Sequence, residues 1–99
     1  MLTARSRFET PNGSSYLQRL CKHFEHKIKV EYDAHRGHCT LPSGQALMEA
    51  DETGISFLVE ADDAEGLARG KGVIESHLVR FAFRENLERL DWQEGAPAA

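Results

Sequence analysis

The chain has 99 residues, a length that corresponds to one domain and is too short for two. Its apolar content of 40% and charged content of 28% are those of an ordinary soluble protein, and they exclude a disordered or fibrous class. The formal net charge of −4 argues against nonspecific binding to nucleic acid, because such binding needs a basic face that displaces counterions from the phosphates.

A short strand and a helix are predicted at the start of the chain. The segment ARSRFET, residues 4–10, has the pattern of a strand and ends at the turn PNGS. Ser15 then provides an N-cap for a helix, and Gln18 three residues later completes a capping box. Apolar residues recur at helical spacing and predict one buried face, formed by Tyr16, Leu17, Leu20, Cys21, Phe24 and Ile28.

The middle of the chain changes to a period of two, which is typical of strands with one buried face. Residues 28–33 alternate in this way, and the turn AHRG separates them from a short strand over 38–41. The turn PSG leads to a strand over 45–50, and the turn DETG leads to another over 55–61. Four strands joined by short turns predict an antiparallel meander with one face exposed to water.

A second helix is predicted after these strands. Asp62 or Asp63 caps its first turn, where acidic side chains interact favourably with the helix dipole. Gly66, Gly70 and Gly72 each weaken the helix by about 1 kcal/mol relative to alanine. Two explanations for these glycines stay open, namely a kink in the helix or close packing of another element against it.

The end of the chain predicts one more strand and a tail. The segment LERLDW, residues 87–92, has the pattern of a short strand, and residues 93–99 are predicted to form a flexible tail. We therefore predict a single α+β domain over residues 1–92, in the order β-α-β-β-β-β-α, with both helices on one face of an antiparallel sheet. The TATA-binding-protein-like fold has this order, as in the C-terminal domain of phosphohexomutases, but a fold does not determine a function.

A line of basic residues lies on the second predicted helix. At about 100° per residue, His77, Arg80 and Arg84 fall within a sector of about 60°, next to the buried positions Ile74 and Phe81. Two guanidinium groups and an imidazole in such a line suit a carboxylate or phosphate ligand. Positive charge near a helix C-terminus is also favourable without any ligand, so the pattern alone leaves both explanations open.

Histidines and cysteines form two groups that contain possible metal ligands. On the first predicted helix, the spacing directs Cys21 to the core, His23 to the edge of the apolar face and His26 towards solvent. The second group is the segment HRGHC, residues 35–39. Neither group has the spacing of a closed zinc site, so we predict no metal and no other cofactor.

The sequence predicts a cytoplasmic protein. The segment MLTARSRFETPNG has no apolar region of a secretory signal. The longest apolar runs are far shorter than the roughly 20 residues that cross a bilayer, so we expect no membrane partner. Cys21 and Cys39 are not part of a CxxC pair and are expected to be reduced thiols.

Three segments resemble a known family: YLQRLCKHFEHK with VEYDAHRG, then VEADDAEGLARG, and above all SHLVRFAFRENL followed by a tryptophan. They resemble the bacterial family called domain of unknown function 2218, over about residues 3–92. In the last segment, the positions that match the family pattern are His77, Arg80, Phe81, Phe83, Arg84 and Glu85. Gly70 and Gly72 depart from the pattern, since bulkier residues are usual there.

The resemblance implies a small domain without an established activity. Similar domains occur attached to siderophore-interacting flavin reductases, which points to iron acquisition. The resemblance also makes charge at a helix end a poorer explanation of the basic residues. Since both helices cover the same sheet face, their cationic edges can meet. We therefore expect an anion site formed by His77, Arg80 and Arg84, completed by Lys27 and by His23 or His26.

Three functions follow from these patterns. The first, which we favour, is a noncatalytic domain that binds a small anion such as a ferric chelate, with a siderophore-interacting reductase as its partner. The second is a metal-dependent or acid–base enzyme that uses His23, His26 and His77. The third is an interaction module, in which exposed apolar strand residues such as Leu58 form a homodimer or a docking face.

Overall fold

The predicted order of elements is confirmed. The computed structural model describes residues 2–42 and 44–95. The strands are β1 (Leu2–Glu9), β2 (Val30–Tyr32), β3 (Arg36–Leu41), β4 (Gly44–Ala50), β5 (Gly54–Ala61) and β6 (Gln93–Gly95). The helices are α1 (Gly13–Phe24) and α2 (Ala64–Phe81), and a 3-10 turn covers Phe83–Glu85. Within the described residues, neither helix has the length and hydropathy needed to cross a membrane.

All six strands belong to one antiparallel sheet in the order β2-β3-β4-β5-β1-β6. The four predicted meander strands lie side by side, because short turns join strands that neighbour each other along the chain. β1 returns to pair with β5 along its whole length, so that Leu2 lies opposite Ala61 and Glu9 lies opposite Gly54. The structure is therefore an α+β fold, and its assignment to the TATA-binding-protein-like fold stays a prediction.

Both helices cover one face of this sheet, and the core lies between them and the strands. The alternation predicted for β5 is confirmed, because Ile55, Phe57, Val59 and Ala61 are buried. Leu17, Leu20 and Cys21 of α1 and Ile74 and Leu78 of α2 are also buried and complete the same apolar cluster. Burial of each such side chain contributes roughly 1.5–3 kcal/mol, so the apolar faces of both helices fix their position on the sheet.

The start of α1 differs from the prediction. The helix begins at Gly13, and Ser15 does not form a capping box with Gln18; the Gln18 amide instead donates to the Ser14 hydroxyl at 3.0 Å. A Cβ at Gly13 would lie 2.5 Å from the carbonyl oxygen of Gly54. The contact between the first turn of α1 and β5 therefore requires glycine, and the N-cap position is Asn12, three residues earlier than the predicted Ser15.

Gly70 of α2 reflects close packing and not a kink. α2 runs without a break to Phe81, and Asp63 is its N-cap, accepting a hydrogen bond from the Gly66 amide at 2.7 Å. A Cβ at Gly70 would lie 2.7 Å from Cγ1 of Val59, whereas a Cβ at Gly72 would have no neighbour within 4 Å. Gly70 thus allows α2 to approach β5, while the space beside Gly72 is open.

The last strand lies later in the chain than predicted. Residues 87–92 form no regular element, and the Leu90 amide donates to Glu75 of α2 at 2.7 Å. Gln93–Gly95, which we predicted to be part of the tail, pair with β1 as β6. Glu94 also forms an ion pair with Lys71 of α2, so these residues belong to the sheet. The rest of the predicted tail, residues 96–99, lies outside the described residues.

Candidate functional site

Two histidines from different helices meet at the contact between α1 and α2. The ring centroids of His23 and His77 are 4.6 Å apart. Each histidine precedes a buried residue of its helix, Phe24 on α1 and Leu78 on α2, so both rings lie at the edge of the core. Phe24 packs edge-on against His77 at 5.2 Å, and this contact holds the rings side by side. The structure therefore brings together the two histidines that the sequence placed on separate elements.

The orientation of His77 is fixed by its own helix. Its Nδ1 lies 2.7 Å from the carbonyl oxygen of Val73, one turn earlier. A carbonyl oxygen only accepts hydrogen bonds, so Nδ1–H is the donor in this contact. In the neutral ring the proton is thereby assigned to Nδ1, which leaves Nε2 as an acceptor.

Further positive charge surrounds the pair. Desolvation lowers the pKa of His23, and the positive charges of His77, Lys27, His26 and Arg80 lower it further. The structure thus joins His23 and His77 in direct contact, and the charges of Lys27, His26 and Arg80 act on His23. We call these five residues the cationic cleft.

Arg19 is an additional member that the sequence did not suggest. Its guanidinium carbon lies 4.9 Å from the centre of the Phe81 ring, and Phe81 in turn lies beside His23 and His77. A guanidinium over an aromatic face is attracted to the ring and is held in place. The available signal was the spacing, since Arg19 precedes His23 by one helical turn.

Among the residues that the structure describes, these cations have no carboxylate within 4 Å. Within residues 2–42 and 44–95, the cations that pair with a carboxylate at 4 Å or less are Arg7, Lys29, Arg69 and Lys71. None of the cationic cleft is among them. Concentrated positive charge without a counter-charge is electrostatically unfavourable in the free protein, and an anion would relieve it.

Comparison with known proteins agrees with the resemblance of the sequence. Residues 5–93 match the profile of domain of unknown function 2218 (DUF2218), described as an uncharacterised protein conserved in bacteria. The chain belongs to this family. The DUF2218 chain is also similar to PA4090 from Pseudomonas aeruginosa, whose structure was determined by NMR. The two share 27% identity over 100% of both chains, with a TM-score of 0.79. A comparison of this chain with curated proteins found no match.

Arg84 does not lie with the other predicted ligand residues of this DUF2218 domain. We predicted it on the same helical line as His77 and Arg80, but α2 ends at Phe81 and Arg84 lies on the 3-10 turn that follows. Its guanidinium carbon is 5.7 Å from the ring of Phe83, which is 65% exposed. The predicted position of Arg84 was therefore wrong, because the prediction assumed that the helix continued.

Glu85 explains where the helix stops. Its carboxylate accepts hydrogen bonds from the hydroxyl groups of Thr10 and Tyr16 and from the Asn12 amide, all near the start of α1. Burial raises the pKa of Glu85, but these hydrogen bonds outweigh it and lower the pKa below its usual value. We call this group the Glu85 cluster; it attaches the 3-10 turn to the β1–α1 connection. Sequence analysis missed its role, although Glu85 stood in the segment that resembles DUF2218.

Neither predicted histidine–cysteine group forms a metal site. Within the described residues, no group of three or more histidine, cysteine or acidic side chains is arranged to hold a metal ion. His38 lies on the exposed sheet face, where its Nε2 is 2.7 Å from Oε1 of Gln45. Cys39 points to the opposite face and is buried beside Cys21. Contact with Cys39 and burial raise the pKa of the Cys21 thiol, which makes it a poor nucleophile.

The exposed face of the sheet contains a concave region. It has a volume of about 660 Å³, and its floor includes Leu47 and Leu58, which lie opposite each other on β4 and β5. Arg5, Glu31 and Glu49 also line it. Because charges of both signs are present, this region does not favour an anion as the cationic cleft does.

Proposed function

We propose that this DUF2218 domain is a noncatalytic binding domain for a small anion, held between α1 and α2. The supporting observation is the convergence of His23, His77, Lys27 and Arg80 without an acidic partner in the described residues. Lys27 and Arg80 supply an ammonium and a guanidinium group, and arginine can form two parallel hydrogen bonds to a carboxylate or phosphate. His26, on the solvent side, contributes further positive charge.

A ferric chelate with several carboxylates is one ligand of suitable charge. The similarity to domains attached to siderophore-interacting reductases makes such a chelate, and such a reductase, the first candidates for ligand and partner. Iron would then belong to the ligand, with the protein contacting the anionic groups around it. This extension is tested separately, by comparing ferric citrate with citrate alone.

The direct test is a thermal unfolding assay with sulfate, phosphate, citrate, ferric citrate and zinc. A ligand that binds only the folded state stabilises it by about 2.7 kcal/mol when present at 100 times its dissociation constant. We expect at least one anion to raise the melting temperature of the wild type. The shift should be reduced in Arg80→Gln and in Lys27→Gln, but not in Arg84→Gln.

Arg84→Gln is the matched control, because it removes an arginine of the same sequence segment that lies outside the cationic cleft. Equal shifts in Arg80→Gln and the wild type would contradict the proposed site. The absence of any shift with all four anions would contradict the proposed function.

A metal-dependent enzyme is the second candidate, because Nε2 of His77 is left free beside His23. A neutral histidine nitrogen whose partner nitrogen donates to a carbonyl is a frequent metal ligand. This candidate predicts stabilisation by zinc alone, lost in His77→Gln and kept in Arg80→Gln. Surrounding positive charge opposes a bound cation, and for this reason we place the anion first.

An interaction module is the third candidate, and here the structure adds a residue to the predicted Leu58. Phe83 is 65% exposed and lies beside Arg84. Aromatic and arginine side chains are enriched among the residues that contribute most of the binding energy at protein interfaces. A homodimer through either surface predicts a change in sedimentation with concentration, which Phe83→Ser or Leu58→Ser would abolish.

A further inference from the structure

We infer that an anion enters the cationic cleft together with a proton, which the His23–His77 pair takes up. The inference rests on the proposed anion site and adds its regulation. It also adds a ligand class, namely small dianions whose oxygens accept hydrogen bonds from a ring nitrogen and from Arg80 together. Binding would then be strong at mildly acidic pH and weak at alkaline pH.

The first step of the argument is the hydrogen bond of His77. Because Nδ1–H donates to the Val73 carbonyl at 2.7 Å, the neutral ring has only a lone pair at Nε2. A lone pair repels an anion oxygen. A second proton, on Nε2, converts the same atom into a donor and gives the ring a positive charge, while the contact with Val73 is kept.

The second step is the set of groups that face the pair. From α1 this is Arg19, and from the turn that follows α1 they are His26 and Lys27, which we had predicted to lie on the helix. From α2 they are Arg80 and the Ser76 hydroxyl, whose oxygen is 3.5 Å from Nδ1 of His77. Within residues 2–42 and 44–95, no carboxylate forms an ion pair with these cations. Every charge that acts on His23 from these groups is therefore positive.

The consequence for the free protein is that protonation of His23 is opposed, because its pKa is lowered. The two rings are 4.6 Å apart, so two imidazolium charges would repel each other and would also be repelled by Lys27 and Arg80. A dianion placed among them reverses the sign of the local potential. By linkage, a ligand that favours the protonated pair binds with net uptake of protons, and its affinity rises as the pH falls.

Isothermal titration calorimetry with sulfate measures this uptake directly. Sulfate keeps two negative charges between about pH 5.5 and 8, a range that brackets the ordinary histidine pKa of about 6.5. Repeating the titration in buffers with different ionisation enthalpies gives the number of protons taken up per sulfate. At pH values above the range in which free His23 titrates, we expect about one proton to be taken up per sulfate bound. The affinity for sulfate should then fall approximately tenfold per pH unit.

His77→Gln and His23→Gln test the assignment to the pair, and His35→Gln, on the exposed β2–β3 turn, is the matched control. We expect His77→Gln to retain weak sulfate binding through Lys27 and Arg80, with proton uptake reduced, whereas His35→Gln behaves as the wild type. A measurement that needs no variant is an NMR titration of the histidine rings. With sulfate bound, the titration of His23 should move to higher pH.

The outcomes separate the two proposals. Sulfate binding whose affinity is independent of pH would overturn proton uptake and leave the anion site intact. Full proton uptake in both His77→Gln and His23→Gln would overturn the assignment to this pair. No sulfate binding even at about pH 5.5, where an ordinary histidine is mostly protonated, would overturn the inference. The anion site that it rests on would be overturned only if phosphate, citrate and ferric citrate also failed to raise the melting temperature.

Discussion

Two glycines one helical half-turn apart should respond in opposite ways to the same substitution. A Cβ at Gly72 would have no neighbour within 4 Å, so Gly72→Ala should add only the better helix propensity of alanine, about 1 kcal/mol. For a domain of this size that corresponds to a rise in melting temperature of about 4–8 °C.

At Gly70 the same gain is opposed by a steric clash. The new Cβ would lie 2.7 Å from Cγ1 of Val59 and 3.2 Å from Cδ1 of Leu41. Val59 is fully buried and branched at its own Cβ, so it cannot rotate away without cost. Overpacking of this kind costs about 1–3 kcal/mol, which leaves Gly70→Ala between neutral and about 2 kcal/mol destabilised.

The difference between the two variants is the informative quantity, because the propensity gain is common to both. Urea unfolding followed by circular dichroism should give Gly72→Ala a free energy of unfolding about 1–3 kcal/mol above that of Gly70→Ala. Equal values for the two variants would refute the conclusion that α2 requires glycine at residue 70 in order to pack on β5.

Two other substitutions test the ends of α2 and the turn after it. Glu85→Gln should lower the free energy of unfolding by about 1–3 kcal/mol at neutral pH, because an amide nitrogen cannot accept the hydrogen bonds of the Glu85 cluster. Since the pKa of Glu85 is lowered by folding, its contribution is present above the unfolded pKa of about 4.3 and is lost as the pH falls through the folded pKa. The variant's stability should therefore depend less on pH in that acidic range, and an unchanged acid profile would argue against the cluster. Asp63→Ala should cost about 1 kcal/mol by removing the N-cap, whereas Asp62→Ala should cost much less, and equal losses in thermal unfolding would contradict this assignment of the cap.

Most of the fold could be predicted from the sequence because the strands alternate with a clear period of two. Where the prediction failed, a distant contact determined the local structure. α1 begins at Gly13 because its first turn meets Gly54, and β6 begins at Gln93 because it pairs with β1. No pattern within a short window contains such partners, so propensity alone places these boundaries incorrectly.

The candidate site, like the fold, could be predicted only in part from the sequence. Helical spacing correctly placed His23 at the edge of the apolar face of α1, and it placed His77 beside the buried face of α2. Spacing failed at Arg84, since α2 ends shortly before Glu85, which accepts hydrogen bonds from Thr10 before α1 and from Tyr16 in its first turn. Helical spacing places Arg19 one turn before His23, but it does not predict the contact of Arg19 with Phe81, because that contact joins two helices.

The position of β1 between β5 and β6 has a consequence for how the chain folds. The strand pairs within β2 to β5 join segments that are neighbours along the chain. By contrast, Leu2 pairs with Ala61 and Thr3 pairs with Gly95, and these partners are far apart in sequence. Closing such long loops costs more chain entropy than closing the short turns of the meander. We therefore expect the meander to form early and the edge containing β1 and β6 to close last. Substitutions in the meander should slow folding, whereas those in β6 should mainly accelerate unfolding.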